Sequence, residues 1–273
     1  MKPAMFDFVR AASLAEATRL LLEADGAAQL VAGGQSLGPM LNLRLAQPRL
    51  LIDITGIPEL SRIEDDDAAV TIGACITTAN VEDGRFPGRG LEALTVVAPQ
   101  IAYRAVRNRG TVGGSLCHAD PAADWVSTLC ALGAECLISG GNGRRHLPAD
   151  QFIIGAYENA LEPGEMLEGI KVPRLSLHGR FGFHKICRKA GEFALAMAAV
   201  CSDPEREQFR IVVGATKGRP IVVADASEFI HGDGLLDENA IRRLLGQHGI
   251  IDSILQRQQL AAMTRAYDQA MQP

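Results

Sequence analysis

The chain is poor in aromatic residues. One tryptophan, three tyrosines and nine phenylalanines make up 5% of its 273 residues. Proteins that hold single-stranded nucleic acid by stacking its bases draw on more rings than that. A basic excess is missing too. The formal net charge is -5 and the pI is near 5.7, which argues against a phosphate-backbone binder. One phosphate-bearing cofactor held by local donors stays compatible with that charge. No apolar run reaches the roughly 18 residues that span a bilayer. Asp7 and Arg10 interrupt the N-terminal stretch MKPAMFDFVRAAS, so no signal peptide is expected and a cytoplasmic location is. Among the six cysteines (Cys75, Cys117, Cys130, Cys136, Cys187 and Cys201) there is no C-x-x-C pair. Neither a zinc site nor an iron–sulfur cluster is expected on this chain, and buried reduced thiols are. The six histidines form no H-E-x-x-H or H-x-E-x-H pattern, so no metal site is expected. Repeats and low-complexity segments are absent as well.

The length allows one complex domain or two to three subdomains. Ser13 and Glu16 form a capping box ahead of LAEATRLLLEA, which reads as a helix stopped by Gly26. AQLVAGG reads as a short strand ending in a double glycine. SLGPMLNLRL follows as a short helix with Pro39 in its first turn, then RLLIDIT as a strand. A β-α-β-α-β order over residues 1–55 predicts a small parallel sheet. Over 56–175 the strand VTIGACIT precedes helices at TTANVED, at LEALTVVAPQIAY and from Pro121 in PAADWVSTLCALG. AECLISGGNGRRHLP reads as a hairpin and MLEGIKVP as a strand closed by proline. Over 176–273 strands at RFGFHKICR, ALAMAAVCS and EQFRIVVGAT precede helical patterns at VADASEFIHG, DENAIRRLLGQHG and SILQRQQLAAMTRAYDQAM. Strands followed by helices give an α+β class.

Two stretches carry candidate chemistry: 32-AGGQSLGPMLNLR-44 and 111-TVGGSLCHADPAADW-125. Consecutive backbone N–H groups without a Cβ to block approach suit a pyrophosphate, and a helix start adds partial positive charge. Taken alone, either double glycine marks a turn. Neither stretch is a Walker loop or a G-x-G-x-x-G fingerprint. Their pairing, each with hydroxyl side chains alongside, is the more informative feature, and it predicts that Gly33-Gly34 and Gly113-Gly114 face each other across one pyrophosphate. Asp120 and Asp124 are spaced so that one caps a helix while the other accepts from a ribose or adenine group. Arg104, Arg107 and Arg109 lie either on the surface or toward a partner or the cofactor phosphates. Trp125 reads as core or interface, and Glu64-Asp65-Asp66-Asp67 as a solvated turn rather than a calcium loop. Cys117-His118 is not read as a catalytic pair, because neighbours on an extended segment point apart.

AGGQSLGPMLNLRLAQPRLLIDI and VRNRGTVGGSLCHADPAADW, in this order and spacing, resemble the FAD-binding medium subunit of molybdenum hydroxylases. That family includes carbon monoxide dehydrogenase and the flavin domain of xanthine dehydrogenase. The resemblance runs through FIIGAYENALEPGEMLEGIKVP and HKICRKAGEFALAMAAV and so covers nearly the whole chain. It implies a two-subdomain FAD-binding domain of the vanillyl-alcohol-oxidase-like (PCMH) type, followed by a C-terminal antiparallel sheet with helices. The implied divisions are 1–55, 56–175 and 176–273.

The implied cofactor is FAD. Leu30 and Val31 would lead into a pyrophosphate wrap made by Ala32, Gly33, Gly34, Gln35 and Ser36. Thr111, Val112, Gly113, Gly114 and Ser115 would meet it from the other side, with Asp120 nearby. Asp124 would bind the ribityl or nearby hydroxyls. Leu167 would offer backbone near the adenine end or the flavin edge. Lys185, Ile101 and Tyr103 would stand by the isoalloxazine. Ser115 stands where many relatives carry asparagine, and Glu192 where aspartate is more usual. The resemblance further implies an electron-transfer role between [2Fe–2S] clusters on a small subunit and an outside acceptor. A large subunit would carry the molybdenum cofactor, within a dimer of heterotrimers, and no residue of this chain would act as catalytic acid, base or nucleophile. A flavin-free regulatory homologue and a self-sufficient flavin oxidase are the alternative readings.

Overall fold

A computed structural model describes residues 2–84, 91–232 and 234–272. The chain opens with β1 (Asp7–Arg10), α1 (Leu14–Glu23), β2 (Ala28–Val31), α2 (Leu37–Asn42) and β3 (Leu50–Asp53). Ser13 caps α1 by accepting from the Glu16 amide at 3.2 Å, while Glu16 reaches back to the Ala12 amide at 2.8 Å. The helix ends where Asp25 and Gly26 both turn to positive φ. The strands form a parallel sheet in the order β1-β3-β2, the arrangement expected from the alternation of elements.

The second stretch contains β4 (Ile63–Asp65), β5 (Ala69–Gly73), α3 (Thr78–Glu82), α4 (Glu92–Val97), α5 (Arg104–Arg107), α6 (Val112–His118) and α7 (Asp124–Ala131). It continues with β6 (Glu135–Gly140), β7 (Gly143–Pro148), α8 (Ala149–Phe152), β8 (Ile153–Gly155), β9 (Glu158–Asn159) and β10 (Met166–Pro173). Five of these strands make an antiparallel sheet, β4-β5-β10-β6-β7, with β8 and β9 paired apart from it. The turn between β4 and β5 is closed by Asp66, which accepts from the amides of Ala68 and Ala69 at 2.8 Å. That bears out a solvated turn for the acidic run.

The last stretch holds β11 (Arg180–Ile186), β12 (Ala196–Asp203), β13 (Gln208–Gly214), β14 (Ile221–Val223), α9 (Glu238–Gln247) and α10 (Ser253–Met271). Its four strands are antiparallel in the order β11-β12-β13-β14. The architecture is α+β, as expected.

Two hydrophobic clusters hold these parts together. One runs from Ala11 through Ile52, Leu94, Trp125 and Phe152 to Phe183 and Val212. The other lies on the opposite face of the C-terminal sheet, where Val200 and Val213 meet Ile241, Met263 and Tyr267 of α9 and α10. β12 can serve both because successive side chains point to opposite faces. Trp125 is buried and donates its indole N–H to Thr78 Oγ1 at 3.1 Å. A buried indole of this size needs such a partner.

Three sequence expectations are corrected. VADASEFIHG is not helical: β14 ends at Val223 and only a 3-10 turn, Ser227–Phe229, follows. Asp225 takes the Ser227 amide and hydroxyl onto its own carboxylate at 3.0 and 2.6 Å, an Asx turn that competes with helix. The helix expected from Pro121 begins at Asp124, because Asp120 accepts from the Ala122 amide and sets a turn first. The helix in LEALTVVAPQIAY stops at Val97 and tightens to a 3-10 turn around Pro99.

Candidate functional site

The first glycine motif leaves β2 and enters α2. Gly34 has φ +71°, a left-handed backbone that favours glycine, and a side chain there would meet only Val31 Cγ2. The amides of Gly33, Gly34, Gln35 and Ser36 donate to no acceptor among the described residues. The Ser36 hydroxyl makes no capping bond. Gln35 turns its amide nitrogen back onto the Gly33 carbonyl at 3.1 Å. Four successive unspent N–H groups on a strongly curved backbone are an anion cradle, and Ala32 and the half-buried Leu30 and Val31 deliver the chain to it.

The second motif is built differently. Gly113 and Gly114 lie inside the first turn of α6 rather than in a loop. Thr111 caps that helix by accepting from the Gly114 amide at 3.0 Å. The amides of Val112, Gly113 and Ser115 go to Ile76, Ala74 and Thr111 carbonyls at 3.0, 3.1 and 3.1 Å. Val112 is fully buried, and a Cβ on Gly113 would collide with Ala74. Gly113 is a glycine because the helix must approach the backbone after β5. The expectation that both motifs offer free amides is therefore corrected. The first motif has amides to give, whereas the second presents the exposed face of Gly114 and the Ser115 hydroxyl.

The two motifs do meet. Gly33 packs directly beneath the Arg109 carbonyl and Gly110, so that no Cβ fits there. Gly110 in turn is tied to α3 through the Thr78 amide at 2.8 Å. One side-chain-free contact thus fixes the cradle against the segment that feeds α6.

Lys185 of β11 and Asp124, the first residue of α7, come together. Lys185 Nζ lies 2.8 Å from Asp124 Oδ1 and donates to the Gln100 carbonyl at 2.7 Å, with side-chain exposures of 5% and 7% for the two residues of the pair. Burial pushes the Asp124 carboxyl up from its ordinary value, and the Lys185 ammonium opposes that rise. Ile101 and Tyr103 follow Gln100 directly, Tyr103 exposed and in contact with the backbone at Gly191. Asp120 accepts from the Ala122 amide at 2.8 Å and stands 3.5 Å from the Tyr157 hydroxyl. Leu167 is buried in β10 opposite Ile138, at a register shift, and its backbone faces the Cys117 thiol.

Arg107 is one of three arginines whose place the sequence left open. It is buried and pairs with Glu82 through Nε and Nη2, each bond 2.8 Å. Glu82 is 25 positions away and nothing local in the sequence marks it. The guanidiniums of Arg107 and Arg104 hold the Glu82 carboxyl below its ordinary value. Arg104 and Arg109 are exposed. Among the described residues no group of three or more His, Cys, Asp or Glu side chains could hold a metal ion.

Residues 4–175 match the family model described as the FAD binding domain in molybdopterin dehydrogenase. The chain is 34% identical over 273 residues to subunit alpha of the 6-hydroxypseudooxynicotine dehydrogenase complex of Paenarthrobacter nicotinovorans, covering 100% of this chain and 87% of that one. It is 39% identical over 200 residues to the carbon monoxide dehydrogenase medium chain of Hydrogenophaga pseudoflava, covering 73% and 70%. The solved carbon monoxide dehydrogenase of Hydrogenophaga pseudoflava superposes with a TM-score of 0.89 at 31% identity over 99% and 98% of the two chains. Quinoline 2-oxidoreductase of Pseudomonas putida 86 superposes at 0.86 and 30% identity, covering 99% and 98%. The cradle at 33–36, the fold around it and these likenesses agree: the chain belongs to the family of FAD-binding medium subunits of molybdenum hydroxylases.

Proposed function

We propose that this chain is the electron-transfer subunit of a molybdenum dehydrogenase. It would stand between [2Fe–2S] clusters on a small subunit and an external acceptor, with the molybdenum cofactor on a large subunit and a dimer of heterotrimers as the assembly. The cytoplasm is the proposed location. The observation that carries the reading is the run of unspent amides at Gly33, Gly34, Gln35 and Ser36, on a backbone that turns left-handed at Gly34. Bound FAD supplies one- and two-electron redox chemistry.

The residues divide the work of binding and orientation. Ala32 to Ser36 hold the pyrophosphate through backbone donors, with Leu30 and Val31 behind them. Thr111, Gly114 and Ser115 approach it from α6, while Val112 and Gly113 hold that helix in place. Asp120 and Asp124 serve the hydroxyl-bearing part of the cofactor, and Leu167 supports the wall beneath α6. Ile101, Tyr103 and Lys185 stand at the ring, where the buried ammonium of Lys185 favours negative charge on a neighbour. Residues 1–55 and 56–175 would make up the two halves of the cofactor site, and 176–273 its cover. No side chain is asked to act as acid, base or nucleophile.

The test is the visible spectrum of the purified chain with added FAD, followed by recovery of the complex from the native host. A chain that stays colourless, or a complex without molybdenum and iron–sulfur partners, would refute the reading.

A further inference from the structure

Three consecutive carbonyls, those of Gln100, Ile101 and Ala102, each accept from a buried cation. Lys185 Nζ donates to Gln100 at 2.7 Å, and Arg107 Nη1 donates to Ile101 and Ala102 at 2.9 and 3.0 Å. Ala102 has φ +44°, a left-handed backbone that alanine seldom takes. Backbone of this kind persists where surrounding contacts over-determine it, and it clusters at functional sites. The contacts here are the guanidinium and the ammonium. Arg107 is further fixed by two 2.8 Å bonds to the two oxygens of Glu82, so nearly every donor of its planar fork is committed. The far side of the arch is closed by Gly191, whose missing side chain leaves room for the Ala102 carbonyl and the Tyr103 ring.

We propose that Arg107 is a positioning residue of the flavin site. Braced by Glu82, it holds the 100–102 arch and thereby sets Ile101 and Tyr103, on one side, and the Lys185–Asp124 pair, on the other, at fixed places along the cofactor. This rests on the function proposed above. With its donors spent on Glu82 and two carbonyls of the arch, Arg107 acts through the backbone it holds. A lysine cannot replace it, since one ammonium cannot grip a carboxylate bidentately and still span two carbonyls.

The test compares the full-length chain with Arg107→Met, Arg107→Lys, Glu82→Gln and Arg104→Gln. Arg104 shares Glu82 but is half-exposed and bonds to no carbonyl of the arch. Far-UV circular dichroism reports folding. The FAD dissociation constant, the visible circular dichroism of bound flavin and its midpoint potential report the site. Folded Arg107→Met should bind FAD at least about tenfold more weakly, consistent with losing hydrogen bonds to a charged donor, and with an altered visible dichroism and potential. Arg107→Lys and Glu82→Gln should fall between it and wild type, and Arg104→Gln should match wild type. Folded Arg107→Met with unchanged affinity, dichroism and potential overturns the proposal. If Arg107→Met does not fold, Arg107→Lys and Glu82→Gln decide: native binding and spectra in both overturn it, and altered ones support it. A wild-type chain that takes up no FAD overturns the proposed function and this inference together. FAD binding in wild type with no change in the variants overturns the inference alone.

Discussion

Gly33 lies directly against the Arg109 carbonyl, and this contact joins the two glycine motifs. Gly34 beside it has space around it but a left-handed backbone. Neighbouring glycines are thus needed for opposite reasons. Gly33→Ala should cost about 1–3 kcal/mol through overpacking and push residues 109–110 away from the cradle. Gly34→Ala should cost about 1–2 kcal/mol through backbone strain and spare that contact. Thermal melts give the stabilities, and the ratio of flavin to protein absorbance gives the binding. Equal losses of flavin with no loss of stability for Gly33→Ala would contradict this assignment.

Removing one partner of the Lys185–Asp124 pair strands a buried charge. Lys185→Met should destabilise the chain by about 3–5 kcal/mol, and adding Asp124→Asn should restore much of it. The sign of the pH effect follows. Burial already raises the folded-state pKa of Asp124, and loss of Lys185 removes what holds it down. The folded variant then binds a proton that the unfolded chain has released, so its stability should fall as pH rises above the ordinary carboxylate range. Urea melts of Lys185→Met across pH 5 to 8 would show it; a flat profile would speak against a buried Asp124.

Glu82 behaves in the opposite sense. Its folded-state pKa lies below the ordinary 4.5 because Arg107 and Arg104 bond to it. It contributes stability that is fully present above pH 4.5 and is lost as pH falls through the lower folded value. Glu82→Gln should therefore flatten the acid limb of melting temperature against pH. An unchanged acid limb would remove Glu82 from the account.

Burial pushes the thiols of Cys75, Cys117, Cys130 and Cys201 up to about 12, and that of Cys136 rises for the same reason. A thiol reagent acts on the thiolate. Native chain at pH 8 should thus react slowly at these five thiols, and all six cysteines should react once it is denatured. Mass spectrometry of the labelled peptides would identify the sites.

Much of this was legible in the residues. Alternating apolar patterns placed the strands, the glycine run around Asn142 placed the β6–β7 hairpin, and Ser13 with Glu16 placed the first helix. The second glycine motif reads as a turn in the sequence because two glycines weaken helix propensity. What overrides propensity there is tertiary: Gly113 must fit against Ala74, and Thr111 supplies the cap. The partnership of Arg107 with Glu82 and the meeting of Lys185 with Asp124 join residues far apart in the chain. No local spacing encodes them, so only the fold reveals that these charges are buried and mutually dependent.

All eight residues of α7 are buried. The helix starts at the Asp124 end of the ion pair and packs along β12 and β13 of the C-terminal sheet. It therefore acts as a shared wall: cut the chain after β10, and the side of α7 that faces β12 and β13 loses the surface that covers it. A shortened chain ending there should be sticky and poorly soluble rather than a working miniature. Evolutionary or engineered exchange of the C-terminal third between relatives would need α7 to travel with it.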